Sequence, residues 1–189
     1  MEDVKSDFNK AGGMDIRLSS GSEVSMTNVK SNFNPYGGIA LNLAEGSEGS
    51  KVTMENVEAS FNKKSEGLRI DAYHPTKVIL KGINSFNGNG SGLYGGGELE
   101  YVVSKGTTNA NNNNFSGVFK DFKATLTVKD GALNACGNGN DAFDNLGTDI
   151  EGVGGSTAQF FPTSGKHYTC DKVSNANGFE CKNKCPVCD

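Results

Sequence analysis

Met26-Thr27-Asn28-Val29-Lys30-Ser31-Asn32-Phe33-Asn34 is the stretch that decides the fold, because the chain writes it again and again. It returns upstream as Met1-Glu2-Asp3-Val4-Lys5-Ser6-Asp7-Phe8-Asn9 and downstream as Met54-Glu55-Asn56-Val57-Glu58-Ala59-Ser60-Phe61-Asn62. A fourth copy, one residue shorter, reads Leu80-Lys81-Gly82-Ile83-Asn84-Ser85-Phe86-Asn87. A repeat at a fixed period means that each unit buries its apolar face against its neighbours, so the period is read before anything else.

After each Phe-Asn comes a turn and then an alternating apolar segment: Met14-Asp15-Ile16-Arg17-Leu18, Ile39-Ala40-Leu41-Asn42-Leu43, Leu68-Arg69-Ile70-Asp71. Alternation with period two is a strand with one buried face. The same phase runs on through Leu93, Val118 and Phe143. A second strand per repeat carries Val24 and Met26, Val52 and Met54, Val78 and Leu80. No stretch shows the i, i+3, i+4, i+7 spacing of an amphipathic helix.

Short strands at this spacing also build sandwiches. A sandwich, however, does not require the same residue type at the same place in every repeat. Stacked coils do, since each residue then sits about 4.8 Å from its equivalent. Two ladders are expected on this reading. One is Asn9, Asn34, Asn62, Asn87 and Asn112, with Gly137 completing the row; the other is a buried column of Phe8, Phe33, Phe61 and Phe86, ended by Asn111 and Cys136. The expected fold is therefore all-β: a single-stranded parallel β-helix over residues 1–150, about six coils of about 25 residues. Residues 151–189 form a Cys-rich capping tail.

The repeated Phe-Asn, the Gly-containing turn and the Gly-Ile-x-Leu segment resemble the parallel β-helix repeat of the pectin-lyase-like superfamily. The resemblance covers roughly residues 1 to 150. It implies a right-handed stack of three sheets. It implies little about activity, because the superfamily holds lyases, hydrolases, esterases, adhesins and inert scaffolds.

Composition narrows the rest. The formal charge of -4 and the absence of a basic run give no electrostatic reason to expect nucleic acid or an anionic membrane. No apolar run is long enough to span a membrane. Met1 falls in phase with Met26 and Met54, inside a coil, so the chain is expected to be a piece of a longer array with any signal peptide upstream.

Cys170, Cys181, Cys185 and Cys188 crowd the tail, and Cys136 stands apart from them. Disulfides clamping a cap suit a secreted or cell-surface protein. Cys185-x-x-Cys188 also has zinc-ligand spacing, which keeps that alternative open. Cys136, in a Phe position, is expected as a buried free thiol. Asn89-Gly90-Ser91 and Asn114-Phe115-Ser116 are glycosylation sequons, placed by their spacing on one edge of the stack.

Candidate chemistry lies on the outer face of the clearest strand. The first outward row reads Asp15, Ala40, Arg69, Tyr94, Phe119, Asp144; the second reads Arg17, Asn42, Asp71, Gly96, Asp121, Leu146. Asp71 and Asp121, two coils apart, stand about 10 Å from each other at the backbone, and side-chain reach brings them into the range of inverting glycosidases. Asp71, Asp121, Asp144 and Arg69 are thus the catalytic candidates, although charges on a solvated sheet face need no function. Arg69, Tyr94 and Phe119 are the binding candidates. Gly137-Asn138-Gly139-Asn140-Asp141-Ala142-Phe143 matches one calcium-turn unit, with Asp141 as its ligand, but the coil beneath offers Ser91 where an acid is needed. No cofactor is otherwise expected.

The function expected is a non-catalytic extracellular scaffold or adhesion module that binds a polysaccharide or a cell-surface or matrix protein. The alternatives are a polysaccharide lyase or hydrolase, and a structural protein that assembles end to end.

Overall fold

The computed structural model describes residues 1–19, 21–43, 49–120, 125–128, 131–138, 150–152, 157–160, 168–169 and 173–174. The chain is all-β, a parallel solenoid of about four turns. Every strand pairing among the described residues is parallel. Six coils and a Cys-rich cap would rest on residues outside the described set.

The strands follow the alternation in the sequence. In order they are β1 (Met14–Leu18), β2 (Glu23–Thr27), β3 (Ile39–Leu43), β4 (Lys51–Glu55), β5 (Glu66–Ser85), β6 (Ser91–Asn109), β7 (Val118–Lys120), β8 (Thr125–Val128), β9 (Gly131–Asn134), β10 (Ile150–Gly152), β11 (Thr157–Phe160), β12 (Tyr168–Thr169) and β13 (Val173–Ser174). β5 and β6 are long because they run round the corners of a coil. Three stacks result. The first holds β1, β3, the start of β5, the start of β6, β7 and β10. The second holds β2, β4, the middle of β5, the middle of β6, β8 and β11. The third runs through the bridges Lys5–Lys30–Glu58–Ser85 into β6, β9 and β12.

Strand register agrees with the sequence through Met14, Ile39, Leu68, Leu93 and Val118. The next partner of Val118 is Ile150, not Phe143, so the even spacing ends there. Inside the stack, Leu41, Leu43, Ile70, Val52, Met54, Val78 and Leu80 have no solvent exposure to speak of and form the core. Each such side chain contributes about 1.5–3 kcal/mol through burial.

The asparagine ladder exists, with a corrected membership. Each member's Oδ1 accepts the backbone N–H of the equivalent residue in the preceding coil. The chain of bonds runs Asn9 to Asn34, Asn34 to Asn62, Asn62 to Asn89, Asn89 to Asn113 and Asn113 to Asn138, at intervals of 25, 28, 27, 24 and 25 residues. Asn87, Asn112 and Gly137 are therefore not ladder members in that row. Asn87 and Asn111 serve a second ladder two residues earlier, Asp7–Asn32–Ser60–Asn87–Asn111–Cys136, in which the bonds run the other way: each side-chain oxygen accepts the backbone N–H of the equivalent residue in the following coil.

The shift has a local cause in the fourth copy. Glu58 bridges Ser85 while Glu55 pairs Lys81, so one extra residue enters between them. Ile83 is that residue and is thrown outward. Asn84, not Ile83, takes the inward place of Val57, and its Oδ1 accepts the Val57 N–H at 3.0 Å. Phe86 then points into the core beside the small Ala59 and Ala110, instead of extending the Phe column.

The Phe column itself is not buried. Phe8, Phe33 and Phe61 are 72%, 46% and 44% exposed. Their rings stack at 4.8 and 5.1 Å with interplanar angles of 4° and 9°. All three sit in left-handed backbone, with φ of 59°, 59° and 62°. Later coils fill the same corner with Gly88, Asn112 and Gly137, residues that tolerate positive φ. Phe does not, and the conformation costs about 1–2 kcal/mol at each position. The ladder bonds on either side hold it there.

Candidate functional site

The outer face of the first stack carries the rows expected from sequence. Asp15, Ala40, Arg69, Tyr94 and Phe119 are in register, and so are Arg17, Asn42, Asp71 and Gly96. The position beside Phe119 belongs to Glu151, which corrects the placement of Asp144 in this row. Asp121, Asp141 and Asp144 lie outside the described residues.

These rows border a half-open groove of about 590 Å³, lined by Asp15, Tyr36, Asn42, Glu66, Arg69 and Asp71 over a floor that includes Ala40. Its charges are tied to one another. The Nε of Arg69 donates to Asp71 Oδ2 at 2.7 Å and its Nη2 to Oδ1 at 3.4 Å. Glu66 lies 3.8 Å from the same guanidinium. The guanidinium also stands 4.8 Å from the centre of the Tyr94 ring, a cation–π contact. The pKa of Arg69 is raised above its ordinary value, first by the hydrogen bond to Asp71, with Asp71, Glu66 and Tyr94 adding Coulombic support against desolvation. At the other end, Asn42 Nδ2 donates to Asp15 Oδ1 at 2.9 Å, and Arg17 lies 3.7 Å from Asp15.

The platform beneath Tyr94 is built by a substitution in the core. The inward row Leu41, Ile70 is continued by Gly95, and the ring of Tyr101 fills the space. A Cβ on Gly95 would lie 2.6 Å from that ring and 2.8 Å from Leu99. Tyr101 is fully buried and its hydroxyl donates to the Tyr94 carbonyl at 2.7 Å. Burial pushes its phenol well above the usual tyrosine value, with Asp71 and Tyr94 adding to the shift. Sequence reading found Arg69, Asp71 and Tyr94, but not Tyr36, Glu66 or Tyr101. Tyr36 and Glu66 sit in segments that read only as turns.

Chemically, the groove offers aromatic surface, an amide, and three carboxylates around one guanidinium. Asp71 has both oxygens engaged by Arg69. Among the described residues, no group of three or more His, Cys, Asp or Glu stands close enough to hold a metal ion.

Other candidates are placed as follows. Asn89 is fully buried in the ladder: its Oδ1 accepts from Asn62 and its Nδ2 donates to the Ala59 carbonyl at 2.9 Å. It has no group left for a glycan in the folded chain. Asn114 follows ladder member Asn113, so the two sequons are offset by one residue, and the Asn114 N–H donates to the Asn89 carbonyl at 2.8 Å on the adjacent coil. Asn114 is half-exposed, with its Nδ2 on the Lys63 carbonyl. Cys136 is disulfide-bonded and half-buried, which corrects the expectation of a buried free thiol. The other four cysteines, Cys170, Cys181, Cys185 and Cys188, lie outside the described residues. No helix among the described residues is long and apolar enough to cross a membrane.

No family model, no curated protein and no solved structure matches this chain.

Proposed function

We propose that this chain is a non-catalytic extracellular scaffold that binds a glycan in the groove on the outer face of its first sheet stack. The observation that carries the proposal is the Arg69–Asp71–Tyr94 arrangement at the groove. A guanidinium locked between two carboxylates and an aromatic ring presents fixed polar atoms beside an apolar face. Sugar-binding sites combine those two features, a few placed polar groups and aromatic surface. The Arg69–Asp71 pair favours binding over turnover, since Asp71 is held by its partner. On this proposal the complete array winds right-handed through about six coils and belongs with the pectin-lyase-like β-helices, with a disulfide-bonded cap over its last coil.

The test is a panel of neutral and anionic polysaccharides, with and without calcium, scored for binding and for depolymerisation. Binding without cleavage is expected, weakened about tenfold (~1.4 kcal/mol) in Arg69→Ala and in Tyr94→Ala. Cleavage of any member, lost in Asp71→Asn or Asp121→Asn, would replace the proposal with a lyase or hydrolase. Silence throughout the panel would move the reading to a protein ligand or to assembly of coils between chains.

A further inference from the structure

The three stacked phenylalanines form a convex ridge at one corner of the solenoid, and no proposal about the groove uses them. Two local rules are broken there three times over: a bulky side chain sits in left-handed backbone, and it stands in solvent. Phe8, Phe33 and Phe61 gain stacking from this, and the Phe61 ring also covers Gly88, while Gly88, Asn112 and Gly137 fill the same corner at lower cost.

The flanks of the ridge carry more lysines than carboxylates. Lys5 and Lys30 stand three residues before Phe8 and Phe33, and Lys10 and Lys63 two residues after Phe8 and Phe61. Lys64 follows, its ammonium 5.4 Å from the ring centre of the exposed Tyr36. All five lysines are exposed. Two carboxylates oppose them: Asp7, 3.3 Å from Lys5, and Glu58, 3.1 Å from Lys30. A chain of net charge -4 thus gathers a basic strip around its exposed aromatic edge. The strip is invisible along the sequence because stacking, not adjacency, assembles it.

We propose that this ridge docks onto an anionic lipid surface. Aromatic edges flanked by lysines suit the interface of a bilayer, where the rings enter the headgroup region and the ammonium groups meet lipid phosphates. The faces of Phe33 and Phe61 are covered within the column and by Gly88, which leaves a sugar only the outer face of Phe8 to stack on. The ridge is convex, so a second copy would bring lysine strip against lysine strip.

The experiment is co-sedimentation with vesicles of phosphatidylcholine alone and of phosphatidylcholine mixed equally with phosphatidylglycerol, at low and high salt. The protein is expected to sediment with the anionic vesicles only, and salt to release it. Phe8→Asn/Phe33→Asn/Phe61→Asn places in the corner a residue type it already accepts at Asn112, so the fold survives and circular dichroism verifies this. That variant, and separately Lys10→Glu/Lys63→Glu/Lys64→Glu, should bind about tenfold or more weakly. No sedimentation, equal sedimentation with neutral vesicles, or full binding by the Asn variant would each overturn the proposal. So would capture on heparin that survives the Asn substitutions, which would point to a general polyanion surface instead.

Discussion

Asn62→Ala tests whether the ladder holds the coils together. Asn62 is fully buried and its side chain makes three bonds. Oδ1 accepts the Asn34 N–H at 2.8 Å, while Nδ2 donates to the Ser31 carbonyl at 3.1 Å and to Asn89 Oδ1 at 3.0 Å. Truncation leaves one buried N–H and one buried carbonyl without a partner; Asn89 Oδ1 keeps the Asn62 N–H. At about 1–3 kcal/mol for each orphaned group, the loss is about 2–6 kcal/mol. Asn9 occupies the same row at its exposed end, where water replaces what is removed, so Asn9→Ala should cost less than about 1 kcal/mol. The assay is urea unfolding of both variants, compared at unchanged m-value, because a stack of repeats can lose two-state behaviour. If Asn62→Ala unfolds within about 0.5 kcal/mol of the parent, or if the two variants cost the same, the ladder is an ornament of the stack and the reasoning fails.

Gly95→Val should destabilise by about 1–3 kcal/mol, because its Cβ enters the Tyr101 ring, and thermal melts should show partial rescue when Tyr101→Val is added. Tyr101 has a folded pKa raised above its unfolded value near 10, so the stability it contributes is present below that pH and lost as pH rises above it. Phenolate absorbance should therefore show the Tyr101 phenol ionising only on alkaline unfolding, a step that Tyr101→Phe delays. In a glycosylating secretory host, peptide mass spectrometry of the folded protein should find any glycan at Asn114 and none at Asn89, whose amide is committed to the ladder.

The backbone architecture was legible because stacking makes each coil repeat the chemistry of the last. Leu68, Leu93 and Val118 fell into register on apolar phase alone, and with them came the outward rows that contain Arg69, Asp71 and Tyr94. The turns were less legible. Matching Phe86 to Phe61 was sound by residue type, yet the corner position demands positive φ, and Gly88 meets that demand at lower cost. Once Gly88 occupies the corner, Asn89 must be the ladder member and Asn87 falls into the row before it. Backbone conformation, not side-chain similarity, sets the register of a turn.

The same logic explains why the Phe column is exposed where residue type suggests burial. Three aromatic residues at one coil position suggest a buried stack, since burial is where aromatic area usually contributes most. The residue that follows each Phe settles the matter. Asn34 and Asn62 turn their amides inward to bond the preceding coil, and the Asn9 amide bonds Asn34 of the next. The residue before each, Asp7, Asn32 or Ser60, spends its side chain on the adjacent coil too. A left-handed residue set between two such ladders points its side chain away from both, toward solvent. The ridge is therefore a geometric consequence of having two polar ladders with a single residue between them. What that geometry does not require is phenylalanine, because Gly88 and Asn112 complete the same corner. The choice of Phe in the first three coils needs a reason outside the fold, and a surface that the ridge touches supplies one.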